Sequence, residues 1–354
     1  MEVGTPLVSV LVLNYNGKQY LKECFDSLQS GNYKPIEILL IDNKSTDESV
    51  AFTKENYPNI RIVQTHANRG YSRAYNIAFN HALGKYMVLL NNDVRVAPDW
   101  LEPLVEVAEK EPDVAALQPK ILSMLEPGYF EYAGASGGYI DRYGYPFLRG
   151  RIFFTIERDE GQYEDEQDVF WTSGAAMFLR RESIAKSLNL DEDFVHHMEE
   201  IDLCWRLHLT GFRLKVVPRS VIWHYAGATI KSDSYKKLYW NHRNNIFMMI
   251  KNLERKNLIL FMPVRLLLDF INIFSAVMLR QNFRQSFAII NAYIWLVTNL
   301  GLILRKRKVV QHIRTVTDRD VFRLVYPGSV VSRYFIFRKK TYMSLKFNVK
   351  PLSG

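Results

Sequence analysis

Residues 85–93 read Lys85-Tyr86-Met87-Val88-Leu89-Leu90-Asn91-Asn92-Asp93. An unbroken apolar run, Tyr86 to Leu90, stops at two amides and a carboxylate. That is the pattern of a parallel strand buried on both faces, with its polar end opening on a cleft. Ligands of open α/β sheets bind at such carboxyl ends. Asp93, with Asn91 and Asn92, offers the oxygen donors that a hard cation carrying phosphates requires. The same three residues make a good turn and helix cap before Pro98-Asp99-Trp100, so this stretch alone leaves both readings open.

Working outward, Leu7 to Leu13 is a second run, apolar but for Ser9, and Asn14-Tyr15-Asn16-Gly17 turns out of it. Tyr20, Leu21, Cys24, Phe25 and Leu28 then recur at helical spacing. Ile36 to Ile41 is a strand that ends in Asp42-Asn43-Lys44-Ser45-Thr46-Asp47, Ile60 to Gln64 another, and Tyr71, Ala74, Tyr75, Ala78, Phe79 and Ala82 mark a helix. Four short strands alternating with helices predict an α/β fold with a mostly parallel, doubly wound, Rossmann-like sheet. A dehydrogenase or a P-loop protein would place bare glycines directly after its first strand, and this chain places Tyr15 there instead. Tyr15 offers an aromatic face for a base, and Asp42 a carboxylate for base or ribose.

From Glu126 to Arg151 the periodicity gives way to glycine- and aromatic-rich text, which predicts a long functional loop. A small-residue turn comes next in Trp171-Thr172-Ser173-Gly174-Ala175. Gly174 and Ala175 would let a ligand approach the backbone, and with Trp171 they are candidates for contact with an acceptor. A second carboxylate cluster, His196-His197-Met198-Glu199-Glu200-Ile201-Asp202, opens an apolar helix. Acids there suit the helix dipole, and adjacent acids in a partly desolvated turn also raise each other's pKa toward that of a general base. Asp202 and Arg206, at i and i+4, pair to orient the turn, and Asp202 joins Glu199 and Glu200 as a candidate catalytic acid. A last strand ends at His224, which beside Asp93 would be a borderline nitrogen ligand suited to manganese.

The net charge of +9 is unevenly placed: residues 1–230 carry 23 Lys/Arg against 32 Asp/Glu, or −9, and residues 231–354 carry 23 against 5, or +18. A basic C-terminal part predicts an anionic surface as partner, and without a nucleic-acid reader motif the expected surface is a membrane, not nucleic acid. Tyr235 to Lys251 is a basic aromatic helix, Leu258 to Leu279 an apolar helix with Arg265, Asp269 and Asn272 on one face, and Gln285 to Leu304 an uncharged stretch long enough to span a bilayer but interrupted by Asn291, Thr298, Asn299 and Gly301. Arg305-Lys306-Arg307-Lys308 comes immediately after, the composition of a monotopic anchor. The expected organisation is a catalytic unit over 1–230, a membrane-associating helical region over 231–310 and a basic tail over 311–354. Met1-Glu-Val-Gly runs into the first strand without a signal-peptide pattern, and Cys24 and Cys204 lack metal-ligand spacing, so the expected location is the cytoplasmic face of the inner (plasma) membrane, held peripherally.

Six segments in order, VSVLVLNYNG, IDNKSTD, ANRGYSRAYNIA, LLNNDV, WTSGAAMFLRRE and EEIDLCWRLHLTGFRLKVVPRSVIWH, resemble the inverting glycosyltransferases of family 2, the rhamnosyltransferase-like enzymes of the GT-A fold, from about Leu7 to Ala226. The resemblance implies that Tyr15 packs on the nucleotide base, that Asp42 binds base or ribose, and that Asn68 to Asn76, including Gly70, contacts the nucleotide. The metal motif falls on Asn91-Asn92-Asp93, with one carboxylate where the family often has two. Glu199-Glu200 falls on the acidic pair that carries the base, Glu200 standing where an aspartate is usual, and His224 falls on the metal-binding histidine. The activity this resemblance implies is transfer of a sugar from a nucleotide-sugar donor to a lipid-linked or oligosaccharide acceptor in surface polysaccharide synthesis, with Mn²⁺ or Mg²⁺ as cofactor. The competing readings are a sugar nucleotidylyltransferase, disfavoured by the Asn14 to Gly17 turn, and a non-catalytic nucleotide-sugar-binding scaffold.

Overall fold

The computed structural model describes residues 4–225 and 234–349. The expected boundary at 230/231 and the end of the basic tail lie outside the described residues.

The chain opens on the predicted alternation: β1 (Val8–Asn14), α1 (Lys18–Gln29), β2 (Ile36–Asp42), α2 (Ser49–Asn56), β3 (Arg61–Gln64), α3 (Tyr71–Phe79) and β4 (Tyr86–Asn91). β1 pairs in parallel with β2 and β4, and β2 with β3. Val8, Val10 and Val12 enter the core that contains Phe25, while Leu11 enters the opposite core with Tyr75 and Leu89. Burying each such side chain contributes roughly 1.5–3 kcal/mol, so these strands stay apolar until they leave the core. They leave it level with one another: Asn14 is in register with Asp42, and Leu13 with Asn91.

The second half departs from the expected parallel sheet. It contains β5 (Val94–Val96), α4 (Leu101–Lys110), β6 (Val114–Ser123), β7 (Gly138–Asp141), β8 (Pro146–Leu148), β9 (Arg151–Ile152), β10 (Thr155–Ile156), β11 (Gln167–Asp168), β12 (Ala176–Arg180), α5 (Arg181–Lys186), α6 (Glu199–Leu209) and β13 (Arg213–His224). The main sheet has the order β11-β13-β6-β12-β4-β1-β2-β3, with β5 on β13. β12 runs antiparallel to both β4 and β6, so the sheet is mixed. A parallel neighbour needs a crossover back to the starting edge. Here the chain leaves β6 at the same edge as Asn91, builds a second sheet there, and re-enters β12 at Ala176 opposite Leu90.

That second sheet, in the order β10-β9-β8-β7-β14, replaces the long loop expected over 126–151. Its last strand comes from the far end of the chain, which continues as α7 (Tyr235–Asn252), α8 (Arg255–Met278), α9 (Phe283–Thr298), α10 (Leu300–Ile313), α11 (Asp318–Val321), β14 (Val325–Tyr326) and α12 (Val330–Phe335). Val325 and Tyr326 pair with Ile140 and Asp141. The buried Asp141 carboxylate accepts from the backbone N–H groups of Tyr143, Tyr145 and Val330, fastening both segments. The described part of 311–354 is therefore folded onto the body, not a tail.

α8 is inside out. Arg265 and Asp269 are buried and paired, Nε to Oδ2 at 3.0 Å, and Tyr145 and Tyr293 donate to the same carboxylate. Leu260, Leu267, Phe270, Phe274 and Met278 are 56% to 65% exposed. By length and composition α8 is the one helix among the described residues able to cross a membrane. α9 and α10 meet at 73°, so Gln285 to Leu304 is not one straight span. At the break the Trp295 carbonyl accepts both the Asn299 backbone N–H and the Asn299 side-chain amide, each at 2.9 Å.

Candidate active site

A cleft of about 1560 Å³ opens where the polar strand ends stand level, between the main sheet, α6, the second sheet and the helices α7, α8 and α12. Tyr15, Asn68, Asn91, Asn92, Asp93, Trp171, Gly174, Ala175, Glu199, Glu200 and His224 all line it, so eleven of the sequence-derived candidates converge on one space. Tyr15 is 44% exposed on its rim, available to a flat ligand. The Asn92 amide donates to Asn14 Oδ1 at 2.6 Å, which ties the ends of β1 and β4 together.

Three predicted ligand contacts are placed otherwise. Asp42 is buried behind Asn43, accepting from Ser45 N and the Gln64 amide, and Asn43 forms the wall together with Asn68, 3.0 Å away. Asn76 donates to Leu190 O and accepts from Leu190 N, stapling α3 to the segment before α6. Gly70 (φ +93) packs against that segment too: a Cβ would stand 2.3 Å from Val195 O, which accepts from Tyr71 N. The bare backbone there serves close packing.

Asp93, in the turn after β4, and His224, the last residue of β13, face each other, Oδ1 to Nε2 at 3.1 Å, with Asn91 Nδ2 3.2 Å from the same nitrogen. Behind the ring, Glu131 Oε2 lies 3.4 Å from His224 Nδ1, and Glu131 is buried with Oε1 lacking a partner. Burial disfavours the imidazolium, but Glu131 and Asp93 outweigh it and raise His224 to about 10. Two donors in adjacent positions on one cation, each at about 2.1 Å, stand about 3 Å apart. A carboxylate on the second ring nitrogen is the usual backing of a ligating histidine. The pair therefore fits a divalent cation, and because no group of three His, Cys, Asp or Glu among the described residues could hold one alone, other ligands must complete it. Sequence reasoning missed Glu131; its one signal was an acid inside the aromatic run from Tyr129 to Tyr132.

On the other wall α6 begins after a turn in which Val195, His197 and Met198 all have positive φ, from 62° to 71°. Non-glycine residues adopt this conformation at a cost, and it persists where neighbours fix it. Here the Asn244 amide of α7 donates to the carbonyls of Phe194, His196 and His197, each at 2.8 Å. The held turn places two carboxyls at the start of α6. Glu199 is buried, one oxygen without a partner, and desolvation together with Glu200 holds its pKa well above the usual range. Glu200 faces the cleft, and desolvation outweighs its backbone hydrogen bonds to bring it up to about 7. Asp202 is not part of this chemistry: it is fully buried, accepting from Arg206 Nε (2.9 Å), Lys251 Nζ (3.0 Å) and the Asn252 amide (2.9 Å). It anchors α6 to α7.

The glycosyl transferase family 2 model matches residues 9–187. The chain belongs to glycosyl transferase family 2. This family 2 transferase is 27% identical over 264 residues to an N-acetylglucosaminyl-diphospho-decaprenol L-rhamnosyltransferase of Mycobacterium tuberculosis, covering 69% of this chain and 84% of that protein. It is 29% identical over 242 residues to the O-antigen biosynthesis protein RfbC of Myxococcus xanthus, covering 67% of this chain and 19% of the larger protein. In fold the transferase is similar to GalNAc-T7 solved with UDP, GalNAc and Mn²⁺, with a TM-score of 0.57 at 17% identity over 73% of this chain and 50% of that one. It is also similar to residues 1–349 of TarS from S. aureus, with a TM-score of 0.54 at 15% identity over 92% of this chain and 90% of that one. These likenesses make the fold GT-A-like. The transferase is thus an enzyme.

Proposed function

We propose that this transferase moves a sugar, with inversion, from a nucleotide-sugar to a lipid-linked glycan acceptor at the cytoplasmic face of the plasma membrane, in the synthesis of a surface polysaccharide. One observation carries the reading: a cleft-facing carboxyl, Glu200, held near neutral pKa on one wall while the Asp93–His224 pair stands in the other. Of two adjacent carboxyls, the buried Glu199 keeps its proton and Glu200 is left as the base. Glu200 accepts the proton of the acceptor hydroxyl as that oxygen bonds to the anomeric carbon, and the nucleoside diphosphate departs from the opposite face with the bonding electrons. Asp93 and His224 would hold a divalent cation, Mn²⁺ or Mg²⁺, which would supply positive charge to the departing diphosphate. Tyr15 stacks the base, while Trp171, Gly174 and Ala175 border the acceptor.

The mycobacterial relative's name specifies a lipid diphosphate acceptor, which supports this substrate class. The exposed apolar face of α8 and the +18 charge of residues 231–354 support a peripheral seat on an anionic bilayer. On this view residues 1–230 are the catalytic unit and the helices after them its membrane-associating part. The test is to screen UDP-, GDP- and dTDP-sugars by ligand-observed NMR with and without Mn²⁺, then read the anomeric configuration of the transferred sugar. Inverted product from one donor class is expected; retained configuration contradicts the single displacement.

A further inference from the structure

The cleft extends well beyond the groups that the transfer step uses. Past Tyr132 its walls are β9, α7, α8 and α12, and its outer rim carries Ile271, Phe335 and Ile336, which are 52%, 50% and 71% exposed. The charge also changes sign along its length. The carboxylates that line it, Asp93, Glu131, Glu199 and Glu200, belong to the reaction end, while the far walls are basic. Two of those cations flank a single ring. The Arg151 guanidinium lies 3.5 Å from the centre of the Tyr132 ring, and Lys237 Nζ 5.5 Å from it. Arg151 is fixed in place by donating to Tyr132 O and Phe153 O. Among the described residues neither cation has a carboxylate partner.

A half-buried, rigid arginine beside a lysine, neither in an ion pair among the described residues and with Glu131 acting on the arginine only at longer range, is a seat for an anion with several oxygens. One cleft thus holds a reaction centre, a cation pair and exposed apolar residues, the three chemistries of sugar, dianion and hydrocarbon. We infer that the far part of the cleft is the acceptor's seat, in which Arg151 and Lys237 hold the diphosphate of a polyprenyl-diphosphate-linked sugar and the chain leaves over Ile271, Phe335 and Ile336. This seat rests on the transferase reading and adds to it where the lipid acceptor is gripped. The rim lies beside the exposed apolar face of α8, so the hydrocarbon need never cross open water between bilayer and cleft.

The experiment compares two acceptors in detergent, one sugar joined to a farnesyl chain through a diphosphate and the same sugar on a neutral alkyl chain. In the wild type kcat/KM favours the diphosphate acceptor. Lys237→Glu and Arg151→Gln lower that preference at least ten-fold through the KM of the diphosphate acceptor, and Ile336→Asp removes the advantage of a longer prenyl chain over a shorter one. An equal loss on both acceptors, or a rise in the KM of the nucleotide-sugar by the same factor, overturns the seat, the latter by assigning the cations to the donor diphosphate. Donor turnover without any preference for the diphosphate acceptor also overturns it and leaves the transferase reading standing. Absence of all donor turnover contradicts the transferase reading itself.

Discussion

Glu199 and Glu200 are neighbours in sequence with different environments, and pH separates them. Glu200 must be ionised to accept a proton, so kcat falls about ten-fold per pH unit below about 7 and levels off above it, as a pH–rate profile will show. The same shift affects stability. Its folded pKa is raised above the ordinary 4.5, so the folded protein loses stability as pH rises from 4.5 through about 7. Glu200→Gln, which cannot ionise, should melt above the wild type at about pH 8 and converge with it well below pH 4.5, by thermal denaturation across pH. Both carboxyls were legible in the sequence because acids opening an apolar helix conflict with its pattern. Asp202 was legible as half of a pair with Arg206 but was also counted among the catalytic candidates, since its other partners, Lys251 and Asn252, lie on α7, some fifty residues on. Glu131 was hidden for the same reason: its meaning depends on His224, far along the chain.

The elements divide along a similar line. β1, β2 and β4 were readable because burial writes nearly continuous apolar runs, interrupted only by Ser9 and Glu37, and their polar ends announce the cleft. The second sheet was not, because its strands are two to four residues long and β14 joins β7 across most of the chain. Periodicity has no hold on so short a strand. The turn before α6 was equally silent, its strain invisible in Val195, His197 and Met198, and so was the Asn244 clamp, one of three asparagines in the first eleven residues of α7. Removing it leaves three carbonyls without that donor. Asn244→Ala is expected to cost about 2 kcal/mol of stability and, by freeing the turn that aims Glu200, to lower kcat more than it raises the KM of the donor. Steady-state kinetics beside denaturant melts separates the two effects. An unchanged kcat in a destabilised protein would make the clamp structural only.

At the scale of the whole molecule, the charge asymmetry and the inverted α8 point the same way. The charge count predicted an anionic surface before any helix was located, but the described part of the expected tail is folded, because β14 pairs with β7 as a strand of the second sheet and Val330 at the start of α12 donates to Asp141. The exposed apolar face of α8 is what we expect a bilayer to meet, because the stretch from Gln285 to Leu304 is broken between α9 and α10. The full chain should therefore sediment with vesicles containing anionic lipid. The double variant Phe270→Asp and Phe274→Asp should remain in the supernatant at a melting temperature close to wild type, because both side chains already face outward. Salt alone should release only part of the wild-type protein, as expected for an anchor with both apolar and electrostatic contributions.

The direct test of Glu200 as the transferring base is a single-turnover comparison of wild type and Glu200→Gln with saturating nucleotide-sugar and the donor affinity measured alongside. The predicted result is a transfer rate lower by roughly a hundred-fold or more with donor affinity almost unchanged. A Gln variant that transfers at the wild-type rate would contradict the account at its centre.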